Sequence, residues 1–83
     1  MKKIISILGS TGSVGLNALS IIEKRKNLFK FNLLSANKNY SLICKQIKKY
    51  NPSIFVISDK NIFTKIKYKF RKKNIEILNN YND

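Results

Sequence analysis

The residues best suited to chemistry lie near the start of the chain, in Gly9-Ser10-Thr11-Gly12-Ser13-Val14-Gly15. Three glycines recur at three-residue spacing, with hydroxyl side chains between them. The chemistry open to such a turn is anion binding. Gly9 permits a sharp turn, Gly12 leaves the backbone open to a pyrophosphate, and Gly15 lets a following helix pack closely. The first N–H groups of that helix have no intrahelical partner and sit at its positive end, where a phosphate is favoured. The spacing is G-x-x-G-x-x-G rather than the strict G-x-G-x-x-G. The reading therefore rests on context: the apolar run Ile4-Ile5-Ser6-Ile7-Leu8 precedes the glycines and an amphipathic segment follows. A glycine-rich turn with no ligand would have the same local sequence.

A second group of polar residues, Ser35-Ala36-Asn37-Lys38-Asn39, follows another apolar run. Sites that select NAD place a carboxylate near the end of this second strand, to bond the ribose 2′-hydroxyl. Here there is none, and a lysine stands between two amides. The missing anion removes repulsion against a 2′-phosphate, and Lys38 adds attraction. One hydrogen bond to a charged group contributes about 1.5–3 kcal/mol, roughly a ten- to hundredfold preference for the phosphorylated cofactor. The competing reading is one more surface lysine in a lysine-rich chain.

The elements that position these residues follow from periodicity. Strands are expected at about Lys3–Leu8, Phe31–Ala36, Ile54–Ile57 and Asn74–Leu78, and helices at about Ser13–Lys26, Tyr40–Tyr50 and Lys60–Lys72. The first strand reads as nearly continuous apolar sequence, as a strand covered on both faces does. Val14, Ala18, Ile21 and Ile22 form one face of the first helix, and Lys24, Arg25 and Lys26 suit its negative end. Ile43, Ile47 and Tyr50 form the inner face of the second helix, with Asn39 as N-cap. Asn51-Pro52-Ser53 ends that helix. Ser58 or Asp59 caps the third, whose inner face is Ile62, Phe63, Ile66 and Phe70. Asn79 to Asp83 is a polar tail.

The order is βαβαβαβ with short connections, which predicts an α/β fold with a parallel, Rossmann-like sheet and right-handed crossovers. In a doubly wound sheet the spatial order is 3-2-1-4, and ligands bind beyond the carboxyl ends of the strands. Those ends are Gly9–Ser13, Ala36–Asn39 and Ser58–Asp59.

The chain has 83 residues, room for one small domain, and 43% hydrophobic residues, enough to exclude global disorder. Seventeen Lys and Arg against four acidic residues give a net charge of +13. Such a charge favours polyanions. The lysines are nevertheless spread along the chain, and the dominance of Lys, Asn and Ile suits an A/T-rich genome. Most of the charge therefore reads as a solvated surface. With one cysteine and no histidine, an internal disulfide and a cysteine–histidine metal site are excluded. Cys44 reads as a small core residue, consistent with a reducing cytoplasm. Lys2-Lys3 and the short run after them lack the length and cleavage site of a signal peptide, and no stretch approaches a membrane span.

Gly9-Ser10-Thr11-Gly12-Ser13-Val14-Gly15 followed by Ala36-Asn37-Lys38-Asn39, with Pro52 before the third strand, resembles the N-terminus of the 1-deoxy-D-xylulose 5-phosphate reductoisomerase family. Family members usually have Gly-Ser-Thr-Gly-Ser-Ile-Gly in the first motif, where this chain has Val14. They commonly have Ala-Gly-Lys-Asn in the second, where Asn37 replaces the glycine. Asn tolerates positive φ better than most residues. The resemblance covers the whole chain and about the first fifth of a typical member. It implies NADPH as cofactor, with Thr11, Gly12, Ser13 and Val14 at the pyrophosphate region and Asn37, Lys38 and Asn39 at the 2′-phosphate. The family rearranges and reduces 1-deoxy-D-xylulose 5-phosphate to 2-C-methyl-D-erythritol 4-phosphate in non-mevalonate isoprenoid synthesis.

The family's divalent cation (Mg or Mn), its sugar-phosphate site and its catalytic residues fall outside these 83 positions, so no catalytic or metal residue is assigned here. Residues 1–83 are thus expected to be the N-terminal part of an NADPH-binding domain, incomplete and inactive alone, from a homodimeric cytoplasmic enzyme. The fourth strand would then form an exposed edge, with marginal stability and poor solubility. Two other readings remain. One is a fragment of another NADP enzyme with a similar loop, such as an aspartate-semialdehyde dehydrogenase. The other is a small nucleic-acid-binding module built on the basic segment 65–73 with Tyr68 and Phe70.

Overall fold

A computed structural model of the chain describes residues 2–80, with the side chain of Lys26 left aside. The end of the expected polar tail, 81–83, lies outside the described residues. The elements run β1 (Lys3–Ile7), α1 (Ser13–Glu23), a 3-10 turn (Lys26–Leu28), β2 (Phe29–Ala36), α2 (Tyr40–Tyr50), β3 (Ile54–Ile57), α3 (Lys60–Lys69) and β4 (Glu76–Leu78). All strand pairs are parallel, as the βα alternation requires. The helices α1 and α3 stop about a turn short of the expected ends. In α1, the basic residues after Glu23 leave the helix for the 3-10 turn.

The strand order corrects the expected 3-2-1-4. It is β1-β2-β3-β4, with β4 beside β3 rather than beside β1. Each crossover steps in the same direction. Right-handed crossovers taken in one direction put their helices on one face. Helix α1 accordingly neighbours α2, where Glu23 pairs with Lys49, and α2 neighbours α3.

The core lies between that helical layer and the sheet. Leu19, Ile43, Ile47, Ile66 and Phe70 from the helices meet Phe31, Leu34, Phe55, Ile57 and Ile77 from the strands. Cys44 is buried, as expected. The pairing register slips between Ile5 and Ser6, whose partners are Phe31 and Leu33. The extra residue, Asn32, lets Phe31 and Leu34 enter the same core although they are three apart.

The opposite face carries no helix among the described residues. Ile4, which alternates with the core-facing Ile5 and Ile7, is 69% exposed. Among the described residues β1 is therefore covered on one face only, not on both as expected, because none of their crossovers returns across it. Val14 and Ile21 also depart from expectation: they are 84% and 74% exposed. The buried residues of α1 are Gly15 and Leu19, with Ile22 packed at the core's edge. On this chain the exposed apolar groups gather around β1 and α1, not at the β4 edge.

Helix α2 ends at Asn51, in the left-handed region at φ 49°, and Pro52 behind it is fully buried. Tyr50 closes the core there, its ring 4.8 Å from that of Phe31. Burial raises its phenol above the ordinary value of 10.0. A raised acid stabilises the fold in its neutral form, so this contribution is complete below pH 10.0 and is lost as pH rises through the folded value. Denaturant unfolding of wild type and Tyr50→Phe should show a constant stability difference near about pH 8. Above pH 10.0 the difference should shift in favour of the phenylalanine variant.

Candidate functional site

The turn after β1 is built from the residues that the sequence singles out. Gly9 has φ +68°, a conformation that costs other residues about 1–2 kcal/mol. The Gly12 N–H closes the turn on the Gly9 carbonyl at 3.0 Å. Gly12 is then the N-cap of α1, and no side chain caps that end. The helical ladder begins with Leu16 N–H donating to the Gly12 carbonyl. The N–H groups of Ser13, Val14 and Gly15 precede it and have no intrahelical acceptor. No acidic residue lies in the first turn, so the positive end is uncompensated there.

Gly15 packs directly on the turn. A Cβ there would stand 2.2 Å from the Gly9 carbonyl oxygen and 2.7 Å from Ser10 Cα. A Cβ on Gly12 would meet only the Gly9 oxygen, at an ordinary 3.5 Å. The protein itself thus needs glycine at position 15 but not at position 12. The space beside Gly12 is not filled by the chain's own described atoms.

The turn is held by three residues that are not among the predicted site residues, Ser10, Ser35 and Gln46. Ser10 is fully buried, and its N–H donates to the Ser35 carbonyl at 2.7 Å. The Gly9 N–H donates to Ser35 Oγ at 2.9 Å. From α2, Gln46 Nε2 donates to the Ser10 carbonyl at 2.8 Å, while Ser10 Oγ donates to Gln46 Oε1 at 2.6 Å. A detectable signal for Gln46 was a polar residue within the apolar stripe of Ile43, Ile47 and Tyr50.

A cleft of about 480 Å³ opens beyond the carboxyl ends of the strands. Gly9, Thr11 and Gly12 line one side, and Ser35, Ala36 and Asn37 the floor. Val56 and Ser58 of the β3 end, with Asn79 and Asn80 after β4, form the far side. None of these lining residues is ionisable.

Of the predicted site residues, the cleft brings together Thr11, Gly12 and Asn37. Ser13 and Val14 lie outside its lining, on the exposed first turn of α1. Lys38 is exposed at the junction of β2 and α2. Asn39 Oδ1 is engaged in capping, accepting from the Leu42 N–H at 3.2 Å. Asn37 does not take up positive φ. Its Oδ1 accepts from Ser58 Oγ at 2.7 Å, and the Asp59 N–H donates to its carbonyl at 3.1 Å. Asn37 thus ties the β2 end to the β3 end. Asp59 caps α3 through the Ile62 N–H. In the basic segment, Phe70 is in the core and the guanidinium of Arg71 stacks on Tyr68, 4.1 Å from its centroid. These two aromatics do not form an open stacking platform.

The family model for 1-deoxy-D-xylulose 5-phosphate reductoisomerase matches residues 5–82. The reductoisomerase of Clostridium novyi is 47% identical over 75 residues, covering 90% of this chain and 20% of the relative. That of Buchnera aphidicola subsp. Acyrthosiphon pisum is 45% identical over 86 residues, covering 100% of this chain and 21% of the relative. Among solved structures, the Zymomonas mobilis reductoisomerase in complex with NADPH superposes with TM-score 0.85 at 26% identity, over 94% of this chain and 21% of that one. A reductoisomerase in complex with NADPH, fosmidomycin and magnesium has the same fold at TM-score 0.85 and 20% identity, over 99% of this chain and 20% of that one. The chain spans about a fifth of the length of these relatives. With the glycine turn, the parallel βα order and the match over residues 5–82, the chain belongs to the 1-deoxy-D-xylulose 5-phosphate reductoisomerase family.

Proposed function

We propose that residues 1–83 are the N-terminal part of an NADPH-binding domain, serving a reductoisomerase that converts 1-deoxy-D-xylulose 5-phosphate to 2-C-methyl-D-erythritol 4-phosphate. The observation that carries this reading is the spare room at Gly12, beside unpaired helix N–H groups and a cleft without carboxylates. These features fit a dinucleotide pyrophosphate. The backbone from Thr11 to Val14 would donate to it, and Gly12 would leave space for its oxygens. Asn37, Lys38 and Asn39 lie at the β2 end, where the 2′-phosphate is held in this type of fold. Lys38 would meet that phosphate with its amine, and Asn39 with the amide nitrogen its cap leaves unused. Bound NADPH supplies the hydride for the reduction half of the reaction.

The divalent cation fits this chain poorly. No group of three or more His, Cys, Asp or Glu able to hold a metal occurs among the described residues. The cation, the sugar phosphate and the catalytic residues belong in this reading to the four-fifths of the relatives' length that the chain does not span. The reading also includes a homodimeric enzyme in the cytoplasm. No helix among the described residues is long and apolar enough to cross a membrane.

The test is calorimetric titration of the chain with NADPH, NADH and a random oligonucleotide at low and moderate salt. NADPH should bind saturably, and roughly ten- to a hundredfold more tightly than NADH. This preference should survive moderate salt. Lys38→Glu should remove most of it while leaving NADH binding nearly unchanged. Equal, salt-sensitive binding of all three would show a generic polyanion surface and sink the cofactor reading.

A further inference from the structure

Gln46 is the side chain that the cofactor reading leaves without a role. It is only 4% exposed, on a helix whose other buried residues are Ile43, Cys44 and Ile47. A methionine of similar volume would fill the same space without desolvating an amide. Burying an amide costs stability unless its hydrogen bonds are made. Here both ends of the amide are used, and both on one residue, Ser10.

The consequence lies in the next peptide. Gln46 Nε2 holds the Ser10 carbonyl on the protein side, at 2.8 Å. In a planar trans peptide the N–H points opposite to the C=O. The Ser10–Thr11 peptide must therefore aim the Thr11 N–H away from Gln46. Thr11 and Gly12 line the cleft and Gln46 does not, so an N–H turned away from Gln46 is the donor that this inference assigns to the pyrophosphate. The Ser10 N–H is fixed separately, by the Ser35 carbonyl, which leaves the Ser10–Thr11 plane as the part that Gln46 controls. Were this plane to rotate, the cleft would meet a carbonyl oxygen in place of an N–H. An anion would then be repelled where it should be bound.

We infer that Gln46 is a positioning residue for the phosphate turn: it locks the Ser10–Thr11 peptide so that the Thr11 N–H is presented to the cofactor's pyrophosphate. This rests on the NADPH reading for its ligand, but the statement about the peptide stands on the turn's geometry alone.

Three variants test it in the 83-residue chain, with NADPH titration and with NMR resonances of the Thr11 amide and Ser10 carbonyl. Gln46→Met keeps the volume and removes both bonds. It should shift those two resonances and weaken NADPH roughly ten- to a hundredfold, while the chain stays folded by circular dichroism. Ile47→Val trims the same helix's core contact without touching the turn. It should lower the unfolding midpoint and leave NADPH affinity unchanged. Gln46→Glu separates polarity from shape. Ionised, it cannot donate to the Ser10 carbonyl; protonated, its hydroxyl donates there and its carbonyl accepts from Ser10 Oγ, as the amide does. Its affinity for NADP⁺, the acid-stable form, should recover towards wild type between about pH 8 and pH 5, each value taken relative to wild type at the same pH.

Wild-type affinity in a folded Gln46→Met overturns the proposal, as does an equal loss in Ile47→Val. If Gln46→Met does not fold, recovery of Gln46→Glu in acid supports the proposal and a flat profile overturns it. If the wild type binds no NADPH, the cofactor reading falls. The resonances then decide alone: unmoved in Gln46→Met they overturn the peptide lock, and moved they support it.

Discussion

Gly15→Ala should abolish the cooperative unfolding of this chain, leaving a broad, low-amplitude transition by circular dichroism at 25 °C. The added methyl would lie 2.2 Å from the Gly9 carbonyl oxygen, more than 1 Å short of ordinary contact, and 2.9 Å from its carbon, also too close. These are backbone atoms of the turn, with no flexible side chain to yield. Alanine in place of glycine favours a helix by about 1 kcal/mol, so helix propensity alone predicts stabilisation. The clash opposes it. Overpacking a tight site costs about 1–3 kcal/mol, and more where backbone must move. A chain of this size has roughly 4–12 kcal/mol of stability in total, and exposed Ile4, Leu8, Val14 and Ile21 place this one at the low end. Separating α1 from the turn would also release the Leu19 contact with the core. The comparison with Gly9→Ala tests the mechanism. At Gly9 nothing lies within 4 Å, and only the positive φ opposes a side chain, a cost of about 1–2 kcal/mol. Gly15→Ala should therefore be the more damaging of the two. A Gly15→Ala protein as stable as wild type would show that α1 does not rest on the turn as described.

Gly12→Ala should do the reverse, retaining the fold and losing the cofactor. Its Cβ meets the Gly9 oxygen at 3.5 Å, and its backbone, at φ −83° and ψ 173°, is open to any residue. The unfolding midpoint should shift by no more than a few degrees. NADPH affinity should fall at least tenfold, because the methyl occupies the space beside the unpaired N–H groups of α1. The pair would make a double dissociation within one motif: two glycines three residues apart, the Gly15 variant losing the fold and the Gly12 variant only NADPH. If Gly12→Ala binds NADPH as wild type does, the pyrophosphate does not approach at Gly12.

Parts of this were legible in the sequence. The run Ile4 to Leu8 ending at Gly9 marked β1 and its turn, because a β-branched apolar stretch followed by glycine has few other local solutions. Asn39, Asp59 and Asn51-Pro52 marked the helix ends through contacts only a few residues long. The strand order was not legible. Short βα connections fix parallel pairing and handedness, but not whether the step from β3 goes outward or back to β1. That choice depends on how the distant edges are covered. The inner face of α1 was misread because two apolar stripes compete there, Val14–Ala18–Ile21 and Ala18–Leu19–Ile22. The small Gly15 marks the side of close approach. Asn32 shifted the alternation of β2, which no period-two count anticipates. Ser35 and Gln46 were individually visible as polar residues in apolar surroundings. Their shared partner, Ser10, stands 25 and 36 residues away, and pairing at that range needs the fold.

The one-sided helical layer also sets where a further strand could go. Its three crossovers all move away from β1, the edge strand that presents Ile4 on the bare face and is followed by Leu8. A strand laid along that edge would be reached by reversing the direction of travel, and its right-handed crossover would bring a helix to the bare face. Two neighbouring loops would then diverge in opposite directions above Gly9. Such a reversal is the topological switch point at which open α/β sheets hold their ligands. The glycine turn, now at the rim of four strands, would become the wall of a central crevice.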